Sequence, residues 1–224
     1  ATYRALAHAV APIRKIDIRP DLPPIHVHKM VFDAEPELMK RYRKMDTEFT
    51  LPEGGAGVLA RVKLTKLRNL CADSVTKACV VAQNLGANPG VVVSARIKQT
   101  DAIEKYIRLM RSHWKFGRID STMDPSQASA TSSAFKSGEL DALFMGIKCA
   151  YGHSFPACDT IHVASMEWSF GSFAQALGRV WRINSQKPVH AYVYLLRDAI
   201  EERMFETVCA KESAAMAALY GEVA

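Results

Sequence analysis

The segment FGSFAQALGRVWR, residues 170–182, holds the chain's densest group of chemically useful side chains. Drawn as a helix at about 100° per residue, it puts Gln175, Arg179 and Arg182 at i, i+4 and i+7 on one narrow face. Phe173, Leu177 and Val180 fall opposite, where they pack against whatever lies beneath. Guanidinium groups do not lose their protons and present forked N–H donors. Two of them beside a glutamine therefore suit the oxygens of a triphosphate. The same placement serves a pair of surface salt bridges equally well, and helix geometry alone does not choose between the two.

Cys149, His153, Cys158 and His162, spaced C-x3-H-x4-C-x3-H, form a second group with the ligand types zinc prefers. The spacing matches no standard zinc module, and His162 lies inside the apolar run TIHVAS. Buried free thiols with two incidental histidines are the simpler reading, so no metal is expected. Other machinery is missing. No GxxxxGK[ST] loop is present to cradle a triphosphate, and no acidic pair ends an apolar strand in a way that would hold magnesium. GxSxG and HExxH are absent too. The chain has arginines suited to phosphate but lacks the means to hydrolyse anything alone.

These residues need a scaffold, and the apolar runs supply one. GVVVSA (90–95), ALFMG (142–146), TIHVAS (160–165) and VHAYVYLL (189–196) are almost wholly apolar rather than alternating, which marks strands covered on both faces. Between them lie helix-like stretches at 100–114, 125–135 and 171–181, the second opened by Asp124 as N-cap and Pro125 in the first turn. This alternation predicts an α/β domain with ligands at the carboxyl edge of its sheet. Upstream, IHVHKMVF reads as a strand with His26 and His28 on one face, expected to be solvated or hydrogen-bonded at a sheet surface. Two basic helices follow, EPELMKRYRKMDTEF and VLARVKLTKLRNLCA, separated by LPEGGAG; a solvated cationic face is the commoner explanation for their charge. Residues 1–24 read as a connector, helical up to Pro12 and then broken by prolines; the tail from Arg197 reads as one long helix.

Composition is that of an ordinary soluble globular chain: 224 residues, 49% hydrophobic and 23% charged. No apolar run approaches the ~20 residues of a membrane span, so no membrane partner is expected. Five cysteines without a CxxC pair indicate a reducing compartment. A net charge of +6 suits a polyanionic partner without requiring one.

From about residue 12 to 206 the chain resembles the second, C-terminal RecA-like lobe of Swi/Snf-type DNA-dependent ATPases of helicase superfamily two. IRKIDIRPDLPPIHVHKMVF is similar to that family's exit from lobe one, and KLTKLRNLCA to the helix preceding lobe two. VVVSARIKQTDAIEKYI resembles motif IV, LFMGIKCAYGHSFPACDTIHVAS motif V, and EWSFGSFAQALGRVWRINSQ the tryptophan segment followed by motif VI. VHAYVYLLRDAIEERMF resembles the strand and helix that close the lobe. The segments stand in the family's order.

The resemblance implies an α/β fold, a RecA-like parallel sheet with helices on both faces, preceded by a small helical insertion. It divides the chain into a connector (1–24), a strand with the basic insertion (25–88), the lobe (89–206) and a terminal helix (207–224). It also implies an ATP site between two lobes, with the phosphate loop and Mg2+-binding acid on the N-terminal lobe. Arg179 and Arg182 match the motif VI arginines, with Arg182 as the finger on the transferred phosphoryl group. Gln175 matches the motif's leading glutamine, and Gly152 joins the ATP-binding set. Ser94, Arg96, Gly146 and Lys148 would lie along a DNA backbone, double-stranded or branched; Trp168, the family's tryptophan, is grouped with them, with packing as its alternative role.

Ser154, Ala128 and Asn184-Ser185 depart from the family's asparagine, arginine and glycine, a divergence that suits a viral or bacterial member. The expected protein is therefore a fragment of a longer ATPase, inactive alone. It would act in the cytoplasm of a bacterium or infected cell, or in a eukaryotic nucleus. The alternative is a non-enzymatic nucleic-acid-binding module on the same fold.

Overall fold

The computed structural model describes residues 19–48, 56–147, 149 and 152–220. The predicted N-terminal helical stretch and Lys148 lie outside them. Six strands, β1 (Ile25–Phe32), β2 (Val91–Ser94), β3 (Phe116–Ile119), β4 (Ala142–Gly146), β5 (Thr160–Val163) and β6 (Val189–Leu196), make one sheet in the order β1-β6-β5-β2-β4-β3. Every pairing is parallel. The four runs read as covered strands are four of these six, and β2, β4 and β5 are buried almost throughout.

Helices cover both faces, as expected of a RecA-like lobe. On one face Val92, Phe144 and Tyr194 pack under α3 (Val75–Ala87) and α4 (Ile97–Met110). On the other, Val91, Val93, Met145 and Ile161 meet α5 (Pro125–Lys136) and α6 (Phe170–Leu177). Toward the carboxyl end of β6 the same face continues into a cluster with α1 (Pro36–Glu48), α2 (Ala56–Ala72) and α7 (Ile200–Tyr220). The basic helical pair α1–α2 thus docks by its apolar side, through Leu38, Tyr42, Leu67 and Leu70, and leaves Lys40, Arg41, Arg43 and Lys44 exposed.

The helical pair follows β1, which joins the sheet by pairing with β6 along its whole length, from Ile25 against Val189 to Phe32 against Leu196. One strand differs from the sequence reading, which did not include it. The edge strand β3 carries no apolar run: Gly117 lies so close to α5 and β4 that a Cβ there would sit 2.5 Å from Leu140 Cδ1 and 2.8 Å from Thr131 Cγ2. The Asp124 cap is as predicted. Its carboxylate accepts from Ser126 N and Gln127 N, and Gln127 closes a capping box.

One buried ion pair locks the helices together. Lys77 Nζ on α3 donates to Glu201 Oε1 on α7 at 2.5 Å, both side chains almost wholly buried, and Glu201 Oε2 accepts from Leu196 N at 3.1 Å. The histidines on β1 find partners at the sheet surface: His28 Nε2 is 3.0 Å from His190 Nδ1, and His26 stacks on His190. Among the described residues no helix is long and apolar enough to cross a membrane.

Candidate functional site

The arginine segment is not one continuous helix. α6 ends at Leu177, and Gly178 is its C-cap, with its N–H on Ala174 O at 2.8 Å. Arg179 N then reaches Ala176 O (3.1 Å) and Val180 N reaches Leu177 O (3.1 Å), the shorter-span bonds of a tightening turn. Gln175, Arg179 and Arg182 therefore do not share a helical face: Gln175 is exposed on α6, and both arginines belong to the turn that follows. Glycine is a poor helix former. The apolar side is as expected, with Phe173 5% and Val180 0% exposed.

The turn is braced from three directions. Val180 is sunk in the core against the sheet. Arg179 donates through a guanidinium nitrogen to His153 O at 3.1 Å, and Phe155 N donates to Arg179 O at 2.7 Å, so the loop after β4 is hydrogen-bonded to the turn. Ser185, 1% exposed, closes it from inside: its hydroxyl accepts from Arg182 N (2.9 Å) and donates to Val180 O (3.1 Å), and its own N–H reaches Arg182 O (2.9 Å). Arg182 Nε is buried and finds no hydrogen-bond acceptor among the described residues. Burial, with Lys136 and Arg179 nearby, pushes the His153 imidazole below its ordinary pKa, so this ring stays neutral in a cationic neighbourhood. Gly152, at the head of that loop, has φ of +83°, a left-handed conformation that a side chain strains.

The second group assembles at the carboxyl edge. Ser94, Arg96 and Gly146 line one cavity of about 130 Å³ at the ends of β2, β3 and β4. Their side chains are already engaged. The Ser94 hydroxyl is 2.6 Å from that of Thr100, and Arg96 donates to Asn69 O at 2.9 Å and Asp73 Oδ1 at 3.0 Å. Gly146 turns the chain out of β4, where a Cβ would approach Cys149 Sγ to 3.3 Å. Trp168 is elsewhere, half-buried against the α1–α2–α7 cluster.

Arg118 and Asp120, which the sequence reading passed over, line the same cavity. Arg118 bridges Asp101 Oδ1 (2.7 Å) and Asp120 Oδ2 (2.6 Å), while Thr122 donates to Asp120 from both its N–H and hydroxyl. Partial burial pushes the Asp120 carboxyl up, but the Thr122 and Arg118 bonds outweigh it and hold it below the usual carboxylate range. The available signal was the triplet Arg118-Ile119-Asp120, illegible while β3 was not read as a strand.

The Cys/His quartet does not assemble. His162 spends both ring nitrogens, Nδ1 at 2.8 Å from Tyr194 Oη and Nε2 at 2.8 Å from Asn88 O, and Cys158 Sγ donates to Thr160 O. Burial pushes His162 down to about 4. Among the described residues no group of three or more His, Cys, Asp or Glu is placed to hold a metal ion.

A parallel sheet covered by helices on both faces, with a small cavity at its carboxyl edge and a braced arginine turn beside it, has the architecture of a RecA-like lobe. The sequence profile of the helicase conserved C-terminal domain matches residues 71–184, just over half of the chain, and the chain belongs to that family. Its resemblance to the C-terminal lobe of Swi/Snf-type ATPases is borne out by the fold. The C-terminal part of the Fun30 ATPase domain superposes with a TM-score of 0.62 at 12% identity, over 84% of this chain and 89% of that one. The SWI2/SNF2 ATPase core domain of Sulfolobus solfataricus gives 0.68 at 15% identity, over 89% of this chain and 45% of that one. In sequence the chain is 28% identical over 93 residues to the DNA repair protein rad8 of Schizosaccharomyces pombe, covering 41% of this chain and 8% of rad8. It is also 28% identical over 130 residues to a DNA repair and recombination protein RAD54-like of Drosophila erecta, covering 56% of this chain and 16% of that protein. The chain therefore spans a small fraction of the length of the curated relatives it matches.

Proposed function

We propose that this chain is the C-terminal lobe of an ATP-driven DNA translocase or helicase, silent by itself and active when an N-terminal RecA-like lobe supplies the phosphate loop and the Mg2+ site. The observation that carries the reading is Arg182 Nε, a buried donor without an acceptor among the described residues, beside a backbone that Ser185 holds by hydrogen bonds. A buried unsatisfied donor costs about 1–3 kcal/mol, and a phosphate oxygen arriving between the lobes would relieve it. Arg182 donates to the transferred phosphoryl group as negative charge shifts there, and needs no reorganisation to do so. Arg179 adds positive potential while holding the Gly152 loop, and exposed Gln175 senses lobe closure. Mg2+ would be held mainly by the acid of the other lobe and would screen the phosphates there.

Ser94, Arg96, Gly146 and Lys148 form the DNA side. Contacts to a backbone carry little sequence information, which suits a motor that steps along any duplex or branched DNA. Trp168 packs against the α1–α2–α7 cluster, away from that edge. Relatives named for DNA repair fit action on DNA, and we place that action in a nucleus.

The test is ATP hydrolysis by the natural gene product containing this chain, with and without DNA, wild type beside Arg182→Ala. DNA-stimulated turnover should fall by about 10³ or more in the variant, the effect of losing an arginine finger. A wild type that hydrolyses no ATP with DNA present would leave only a nucleic-acid-binding module.

A further inference from the structure

The turn bearing Arg182 is also gripped from a distant part of the chain. Arg19, its side chain 23% exposed, donates from one terminal nitrogen to Ile183 O at 2.8 Å and Ser185 O at 2.7 Å, across more than 160 residues of sequence. Trp181 Nε1 donates to Pro23 O at 2.8 Å. Val189 N donates to Pro24 O at 3.0 Å, so the far end of the segment runs straight into the β1–β6 ladder. Between these anchors Leu22 is buried, its N–H on Arg19 O at 3.0 Å, and Pro20, Pro23 and Pro24 fix their own φ angles. Residues 19–24 are therefore a stiff bracket with one end on the sheet and the other on the carbonyls just past Arg182.

We infer that this bracket positions Arg182 for the phosphoryl group, with Arg19 and Trp181 as positioning residues that touch neither nucleotide nor DNA. The inference rests on the function proposed above. The route is short: Arg19 holds the carbonyls of Ile183 and Ser185, and Ser185 bonds both the N–H and the carbonyl of Arg182. Charge-assisted bonds to two carbonyls fix the rotation of the peptides between them as one neutral bond would not. In the lobe arrangement proposed here, this bracket is the last stretch of chain arriving from the other lobe. A shift of that lobe is then felt at Arg182 through covalent chain and a few hydrogen bonds.

The natural gene product tests this with Arg19→Ala, Arg19→Lys and Trp181→Phe, the last keeping the ring and removing the N–H. Arg19→Ala should lower kcat for DNA-stimulated ATP hydrolysis by about 10- to 10²-fold, as small misplacements of reacting groups do. KM for ATP, DNA affinity and the thermal midpoint should stay near wild type. Arg19→Lys should recover part of the loss, since an ammonium lacks the fixed fork, and Trp181→Phe should lose less than Arg19→Ala. Hydrogen exchange should quicken at the amides of Arg182 and Ser185 and not at Val91–Val93. Unchanged kcat in Arg19→Ala overturns the assignment. So does a fall in kcat accompanied by faster exchange through β2, which would mark general loosening. A wild type that hydrolyses no ATP with DNA overturns the proposed function first, and the positioning role with it.

Discussion

The carboxyl-edge cavity and the arginine turn hold the same kinds of side chain in opposite states. At the edge the described arginines have partners: Arg96 is on Asn69 O and Asp73, and Arg118 is on Asp101 and Asp120. In the turn the backbone is the satisfied part, and Arg182 Nε is left over. A saturated edge offers shape, backbone groups and a shared field, which suits a surface that grips and releases a uniform polyanion. A buried, unanswered donor suits a group that waits for one particular acceptor.

The largest effect that would break this contrast is at Arg182. Replacement by Lys keeps the charge and removes Nε and the fork, so DNA-stimulated kcat of the natural gene product should fall by about 10²-fold or more, close to the alanine variant. A lysine enzyme near wild-type kcat would mean that charge, not the unanswered donor, is what matters.

Next in size is a pH effect within the sheet itself. His162 is buried neutral, its pKa pushed down to about 4 by burial. The unfolded chain takes up this proton near pH 6.5 and the folded one only near 4, so the stability involved is complete above pH 6.5 and is lost as pH falls toward 4. About 3 kcal/mol is at stake over that window. Urea titrations at pH 7 and pH 4.5 should show the loss, reduced in His162→Gln. An equal loss in the variant would assign it to other groups.

Ser185→Ala should cost about 2 kcal/mol of unfolding free energy, because it leaves Arg182 N unsatisfied inside the turn. Arg96→Ala should do less to stability, its partners being half-exposed. It should instead lower the slope of log DNA affinity against log salt by about one phosphate contact. A variant with an unchanged slope would show Arg96 to be purely a brace between α2 and α4.

The sheet was legible because β2, β4, β5 and β6 are nearly continuous apolar runs, and burial on both faces leaves that mark. β3 was not, since Gly117 and Arg118 occupy half of a four-residue edge strand for reasons of close approach and ion pairing. At the site, residue types singled out Arg179 and Arg182 as candidates, and spacing misled about the element that carries them. Val180 and Trp181 continue the apolar period past Gly178, so a turn reads as more helix. No local pattern announces that Arg19 reaches Ile183 and Ser185, because that contact depends on β1 pairing with β6.

The central claim is that the two regions do separate work, and the most direct measurement places Arg182→Ala and Arg96→Ala side by side in the natural gene product. DNA-stimulated ATP turnover and the salt dependence of DNA binding are read for each. The predicted result is a crossed pattern: Arg182→Ala loses turnover and keeps its salt slope, whereas Arg96→Ala loses slope and keeps most of its turnover at saturating DNA. Parallel losses of both quantities in both variants would contradict the division and make the two regions one site.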